Sequence, residues 1–242
     1  MLMTASNNTT SCNSDSADNQ PESKRARNFD LIVFDWDGTV MDSTAVIVSC
    51  IQESARDLGL PVPAKSIANY VIGLGLKDAL QLAVPELAEA DYPKLVERYV
   101  NHWRAREHDL ILFDGMRALL ADLKAREFLL GVATGKSRGG LDRALMAGGL
   151  TGAFDWTRCA DETHSKPHPQ MLFDLMERFD VPPERTLMIG DTTHDSQMAH
   201  NAKVCAVSVT YGAHPRAELE TLQPVAMVES VEQLHAWLAA HA

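Results

Sequence analysis

Cysteine is scarce in this 242-residue chain, with only Cys12, Cys50, Cys159 and Cys205 and no Cys-x-x-Cys. That spacing excludes a disulfide framework or a zinc ribbon and fits reduced thiols in a cytoplasmic protein. No uninterrupted apolar run approaches the ~18 residues of a membrane-spanning helix. The N-terminus lacks an apolar h-region and a cleavage pattern, so no secretory signal is expected. Aromatics are few, at 6 %, but hydrophobic residues reach 45 %, enough for an ordinary globular core. Positive charge is the other shortage: 22 Lys+Arg against 33 Asp+Glu leave a formal net charge of −11. That balance argues against nucleic acid and anionic membrane as partners. A small anionic substrate would need a local source of positive charge.

The deficit is unevenly spread. Residues 1–28 balance Asp15, Asp18 and Glu22 with Lys24, Arg25 and Arg27, so the whole −11 sits on residues 29–242. Rich in Ser, Asn and Thr and without periodicity, 1–28 reads as a disordered tail. The Lys24-Arg25-Ala26-Arg27 cluster reads as a solvated charge run before the first strand.

Short apolar runs then recur at Phe29–Asp35, Phe128–Ala133, Thr186–Gly190 and Val204–Val209. Runs of this length, stopped by Gly or a polar residue, suit buried strands. Helical patterns stand between them at Met116–Arg126, Leu141–Ala147, Gln170–Phe179 and Gln197–Lys203. The alternation predicts an α/β fold, a parallel sheet with helices on both faces. One stretch departs from it. Residues 44–112 carry only helical spacing, at Ala45–Leu58, Lys77–Val84 and Tyr92–Glu107, punctuated by Pro61, Pro63, Gly73, Gly75 and Pro85. This predicts an all-helical insertion, leaving 29–43 plus 113–242 as the α/β core.

Three motifs lie at predicted strand ends, where open parallel sheets bind ligands, and a fourth lies in a proline-rich loop before a helix. Asp35-Trp36-Asp37-Gly38-Thr39 ends the first strand; its two acids can share a site only if the chain turns at Gly38. Two adjacent carboxylates must differ in role, one ionised on a metal and one shuttling a proton. Gly190-Asp191-Thr192-Thr193-His194-Asp195 ends another strand, and a second acidic pair there calls for a hard cation such as Mg²⁺. Its two acids could lie on successive helical turns, or Asp195 could be a first-turn acid favoured by the helix dipole. Thr134-Gly135-Lys136-Ser137 offers a hydroxyl and backbone N–H groups to an anion, or equally a plain helix cap. In Ser165-Lys166-Pro167-His168-Pro169 the prolines would fix an ammonium that can neutralise a transferring phosphoryl group.

Taken together and in this order, the four motifs resemble those of the haloacid dehalogenase superfamily of aspartate-nucleophile phosphatases, over residues 30 to about 240. The helical insertion after the first motif is similar to an α-helical cap of the first type. Val132–Lys136 and Ser165–Pro169 look closest to the phosphoglycolate phosphatase-like branch. The resemblance implies a Rossmann-like core with a cap domain. It also implies Asp35 as nucleophile, Asp37 as general acid and base, and Lys166 as charge balance. Thr134, Gly135 and Lys166 would bind phosphate, and Asp35, the Asp37 backbone carbonyl, Asp191 and Asp195 would hold Mg²⁺, Asp195 through water. Lys203 stands where many relatives have Gly, and the 28-residue tail is unusual, but neither touches these motifs.

Weaker signals complete the picture. Lys77, in Gly73–Asp78, could bind a substrate group from the cap or be a plain exposed lysine. His164, His168, His194, His200 and His214 read as surface or hydrogen-bonding residues, since oxygen-rich motifs do not suit zinc. Trp36 is expected to pack, and the methionines to fill core space. The expected activity is Mg²⁺-dependent hydrolysis of a small phosphorylated metabolite, phosphoglycolate first. Rivals are a β-phosphoglucomutase-like sugar phosphomutase, a pyrophosphatase or nucleotidase, a dehalogenase and a non-catalytic interaction module. Asp37 and the Asp191/Asp195 pair argue against the dehalogenase, and the motif set as a whole argues against the interaction module.

Overall fold

The structure is a computed structural model that describes residues 27–242. Most of the expected tail, with Lys24, Arg25 and Ala26, lies outside the described residues. The tail's last two residues, Arg27 and Asn28, are tied to the core. Arg27 donates to the carbonyls of Arg126 and Glu127 at 3.3 and 3.0 Å, and Asn28 donates to the carbonyl of His241 at 2.6 Å.

Six parallel strands form one sheet in the order β3-β2-β1-β4-β5-β6. They are β1 (Leu31–Phe34), β2 (Leu129–Thr134), β3 (Trp156–Cys159), β4 (Thr186–Gly190), β5 (Cys205–Val209) and β6 (Ala226–Val228). β1, in the middle, is fully buried, as an apolar run covered on both faces must be. Its alternate residues go to opposite cores. Ile32 and Phe34 pack with Leu119, Leu120 and Leu123 of α5 (Met116–Ala125) and with Leu234 and Leu238 of α10 (Val231–His241). Leu31 and Val33 pack with Leu172 and Leu175 of α7 (Gln170–Phe179) and with Met198 of α8 (Thr193–Ala202). β1 pairs with β2 on one side and β4 on the other, so the connections diverge there. A crevice at the carboxyl ends of β1 and β4 follows from that order.

The four predicted strands correspond to β1, β2, β4 and β5. The edge strands β3 and β6 were not expected; at four and three residues they are too short to show a clear period. Between β1 and β2 the chain forms α1 (Thr44–Asp57), α2 (Lys65–Tyr70), α3 (Leu76–Ala83) and α4 (Tyr92–Arg104), with 3₁₀ turns and no strand in 44–112. These helices share their own core of Ile47, Ile51, Leu80, Leu95 and Trp103. α2, only six residues long, was not expected from the pattern. The two connections to this insertion run side by side: Asp42 N–H donates to the Ile111 carbonyl and Phe113 N–H to that of Val40, at 3.0 and 3.2 Å. Among the described residues no helix is long and apolar enough to cross a membrane.

Leu130, on β2, is fully buried in the larger core. Leu130→Ala should cost about 3 kcal/mol, read as a lower denaturation midpoint with an unchanged m-value. A loss below about 1 kcal/mol would mean that this layer does not carry the fold.

Candidate active site

The first motif turns as Gly38 allows. Asp35 continues β1, its N–H donating to the Ile189 carbonyl of β4 at 2.8 Å. Trp36 points into the core, edge-on to Phe154 with ring centroids 6.3 Å apart, so it packs as expected. The N–H groups of Val40 and Met41 then fold back to the Trp36 carbonyl, each at 2.9 Å. Gly38 has φ +80°, and a side chain there would overlap the Asp191 carboxylate. Asp37 accepts from Ser43 Oγ at 2.6 Å and pairs with Lys136 Nζ at 3.0 Å.

The second acidic pair is arranged differently from one of the expectations. Asp191 follows β4 and precedes the Thr192 N-cap of α8, so the two acids are not on successive helical turns. Asp195 is the third residue of α8 and closes a capping box: its Oδ2 accepts from Thr192 N–H at 3.0 Å and from Thr192 Oγ1 at 2.7 Å. The first-turn acid is the arrangement realised. Asp191 accepts from Thr39 Oγ1 and from Ala213 N–H, both at 2.7 Å.

Lys166 joins the motifs. Its Nζ lies 2.6 Å from Asp35 Oδ1 and 2.6 Å from Asp195 Oδ1, with the side chain fully buried. Asp35, Asp191 and Asp195, all buried, bring carboxylate oxygens within 4.8 Å of one another. Burial first, then repulsion from Asp195 and Asp191, holds Asp35 well above the usual carboxylate range against the pull of Lys166. Burial and the Asp195 charge push Asp191 up to about 7. Burial favours the neutral amine of Lys166, but Asp195 and Asp35 outweigh it and keep the ammonium protonated. Neither oxygen of Asp35 has a directed hydrogen bond. Three close, buried carboxylates with one ammonium, and an Asp35 Oδ2 without a hydrogen-bond partner, fit a hard divalent cation such as Mg²⁺.

Thr134 ends β2, fully buried, its Oγ1 accepting from Lys136 N–H at 3.2 Å. Ser137, and not Thr134, caps α6 (Arg138–Ala147), accepting from Gly140 N–H at 3.2 Å. The insertion lies directly on Gly135, where a side chain would overlap the carbonyls of Gly73 and Leu74. Gly75 N–H donates to Ser165 Oγ at 2.8 Å, next to Lys166. Between insertion and core lies a cavity of about 140 Å³, bordered by Asp37, Gly135 and Lys136 on the core side. Lys77 is not brought there; it is exposed on α3, while Leu76 and Leu80 line the cavity.

Among the described residues the histidines form no metal group. His194 and His214 each donate from Nε2 to the Tyr70 carbonyl of the insertion, at 2.7 and 3.0 Å. Burial lowers both below the usual histidine range, in keeping with neutral hydrogen-bonding rings. His164, His168 and His200 are exposed. Residues at the site that were not singled out are Thr39, Ser43, Tyr99, Trp103, Lys136 and Ser165. Thr39, Lys136 and Ser165 sit inside the motifs and could have been found from them. Ser43, Tyr99 and Trp103 carried no local signal.

The family model described as haloacid dehalogenase-like hydrolase matches residues 32–209. "Probable phosphatase IndB" of Dickeya dadantii is 34 % identical over 217 residues, covering 88 % of this chain and 94 % of that protein. A protein of Agrobacterium fabrum named "Phosphoglycolate phosphatase" is 31 % identical over 198 residues, covering 78 % of this chain and 85 % of its own length. A crystal structure from Clostridium acetobutylicum, described as "a predicted phosphatase", superposes with a TM-score of 0.78 at 26 % identity, covering 88 % of this chain and 99 % of that one.

The carboxylate cluster makes a linkage prediction. With Asp191 moved from 3.8 up to about 7, the metal-free fold binds that proton more tightly than the unfolded chain. Its stability should therefore fall as pH rises through this window and level off above it. Above pH 7, Mg²⁺ at about 100 times its Kd should restore about 2.7 kcal/mol, read as a rise in unfolding temperature. Asp191→Asn should abolish the Mg²⁺ response; an undiminished rise would place the cation elsewhere.

Proposed function

Since the chain belongs to the haloacid dehalogenase-like hydrolase family, we propose that it is a Mg²⁺-dependent phosphatase of a small phosphorylated metabolite, working through an aspartyl-phosphate at Asp35. The observation that carries this reading is the contact of buried Lys166 with both Asp35 and Asp195 beside Asp191. It joins an open nucleophilic carboxylate to a fixed positive charge. Mg²⁺, which Asp35, Asp191 and the Asp37 backbone carbonyl would hold, supplies the further charge that draws a phosphate towards a carboxylate.

An Asp35 oxygen attacks phosphorus, forming the Asp35–phosphorus bond as the bond to the alcohol breaks. Asp37, positioned by Ser43 and Lys136, protonates the departing alkoxide. It then removes a proton from the water that attacks phosphorus and frees Asp35. Lys166 balances the charge on the transferring group, and Asp195 keeps Lys166 in place. Thr134 and the backbone at Gly135 bind phosphate oxygens. The insertion, residues 44–112, serves as a cap that excludes water during the first step and readmits it for the second. Reduced cysteines fit a cytoplasmic setting.

Asp35→Asn should lower kcat for acetyl phosphate by at least ~10⁴-fold, and Asp37→Asn by roughly 10²–10⁴-fold. EDTA should abolish turnover, and Mg²⁺ should restore it. Turnover by Asp35→Asn at the wild-type rate would exclude the mechanism. Free phosphate from a hexose 1-phosphate supports the hydrolase; an isomerised hexose phosphate supports the mutase instead.

A further inference from the structure

The general acid must reach the oxygen that leaves, so the alcohol half of a substrate lies on the side of Asp37. That side is the cavity of about 140 Å³. On the insertion side its walls are apolar, with Ile47 and Ile51 of α1, Val71, Leu80 of α3, and the rings of Tyr99 and Trp103 of α4, while Ser137 and Arg143 join Asp37 and Lys136 on the core side. Those two rings lie parallel within 8°, with centroids 6.3 Å apart. Two cations line the cavity, Lys136 and Arg143, and both are already matched. Lys136 Nζ sits 3.0 Å from Asp37 and 4.1 Å from the centroid of Trp103. Arg143 pairs with Glu107 at 3.1 Å and donates to the Gly139 carbonyl at 2.8 Å. A second anionic group on the substrate would find no open cation here and would lose its hydration.

Resting on the phosphatase reading above, we infer that the substrate is the phosphate monoester of an alcohol bearing an uncharged, apolar, ring-sized group. That group is held between α1, α3 and α4. The size agrees, since an apolar cavity of about 150 Å³ holds a benzene ring. Planar rings in the substrate would meet planar rings in the wall. The chemistry separates this substrate class from phosphoglycolate, whose carboxylate would have to displace Asp37 or Glu107 from its partner.

The test compares benzyl phosphate with phosphoglycolate, two esters of primary alcohols, with acetyl phosphate as a ring-free control. kcat/KM for benzyl phosphate should exceed that for phosphoglycolate by about 30-fold or more, chiefly through KM. Ala79→Leu from α3 and Val100→Phe from α4, which fill the cavity, should each lower that ratio by about tenfold. The ratio is unaffected by loss of folded protein, which lowers both rates alike. A wild-type ratio near one or in favour of phosphoglycolate, with acetyl phosphate hydrolysed, overturns the inference and leaves the phosphatase standing. A ratio unmoved by both variants also overturns it. No turnover of any of the three esters overturns the phosphatase reading itself.

Discussion

Lys166 carries a positive charge on a side chain with no solvent exposure, 2.6 Å from a carboxylate on each side. An isolated ammonium buried this way would cost several kcal/mol, and so would each isolated carboxylate. Their mutual attraction makes the burial tolerable, but the count does not close, because Asp191 adds a third acid to one base. Burial first, and then the surplus negative charge, raise Asp35 and Asp191 together. Further positive charge would relieve that surplus, and the three carboxylates could hold a small divalent ion. The −11 of the whole chain is thus partly a local matter, concentrated where a cation can convert it into an anion-binding site.

The rest of the molecule serves to bring those four side chains together. β1 delivers Asp35, β4 delivers Asp191, the start of α8 delivers Asp195, and the loop before α7 delivers Lys166. The insertion lies over them through contacts that include Gly75 on Ser165, the Tyr70 carbonyl under two histidines, and Glu107 between Trp103 and Arg143. Glu107 matters twice, since it orients the Trp103 indole at 2.9 Å and also occupies Arg143. The Glu107 contact therefore leaves Arg143, on the wall of the cavity, already paired.

Much of this was legible in the residues. The apolar runs of β1, β2, β4 and β5 are long enough to stand out, and those of β1, β2 and β4 each end in a polar motif that the parallel sheet places on one edge. Asp35, Asp37, Thr134, Asp191 and Asp195 announce themselves by that position, and Lys166 by the prolines that follow it. Short edge strands do not, because three or four residues contain barely one period of alternation. Asp191 falls before α8 because Thr192 caps the helix. The cavity was invisible for a different reason. Tyr99 and Trp103 have an ordinary amphipathic helix spacing, and only the packing of α4 against α1 and over Lys136 makes them a wall. Lys77 shows the converse: a charge in a suggestive loop, turned outward by the helix that begins at Leu76.

The central claim is that phosphorus is passed first to Asp35 and then to water. Stereochemistry at phosphorus reads this directly, without any need for the intermediate to accumulate. With a phosphorothioate monoester made chiral at phosphorus by two oxygen isotopes and hydrolysed in water of the third, two in-line displacements predict net retention of configuration in the thiophosphate released. Net inversion would mean a single direct attack by water and would contradict the account.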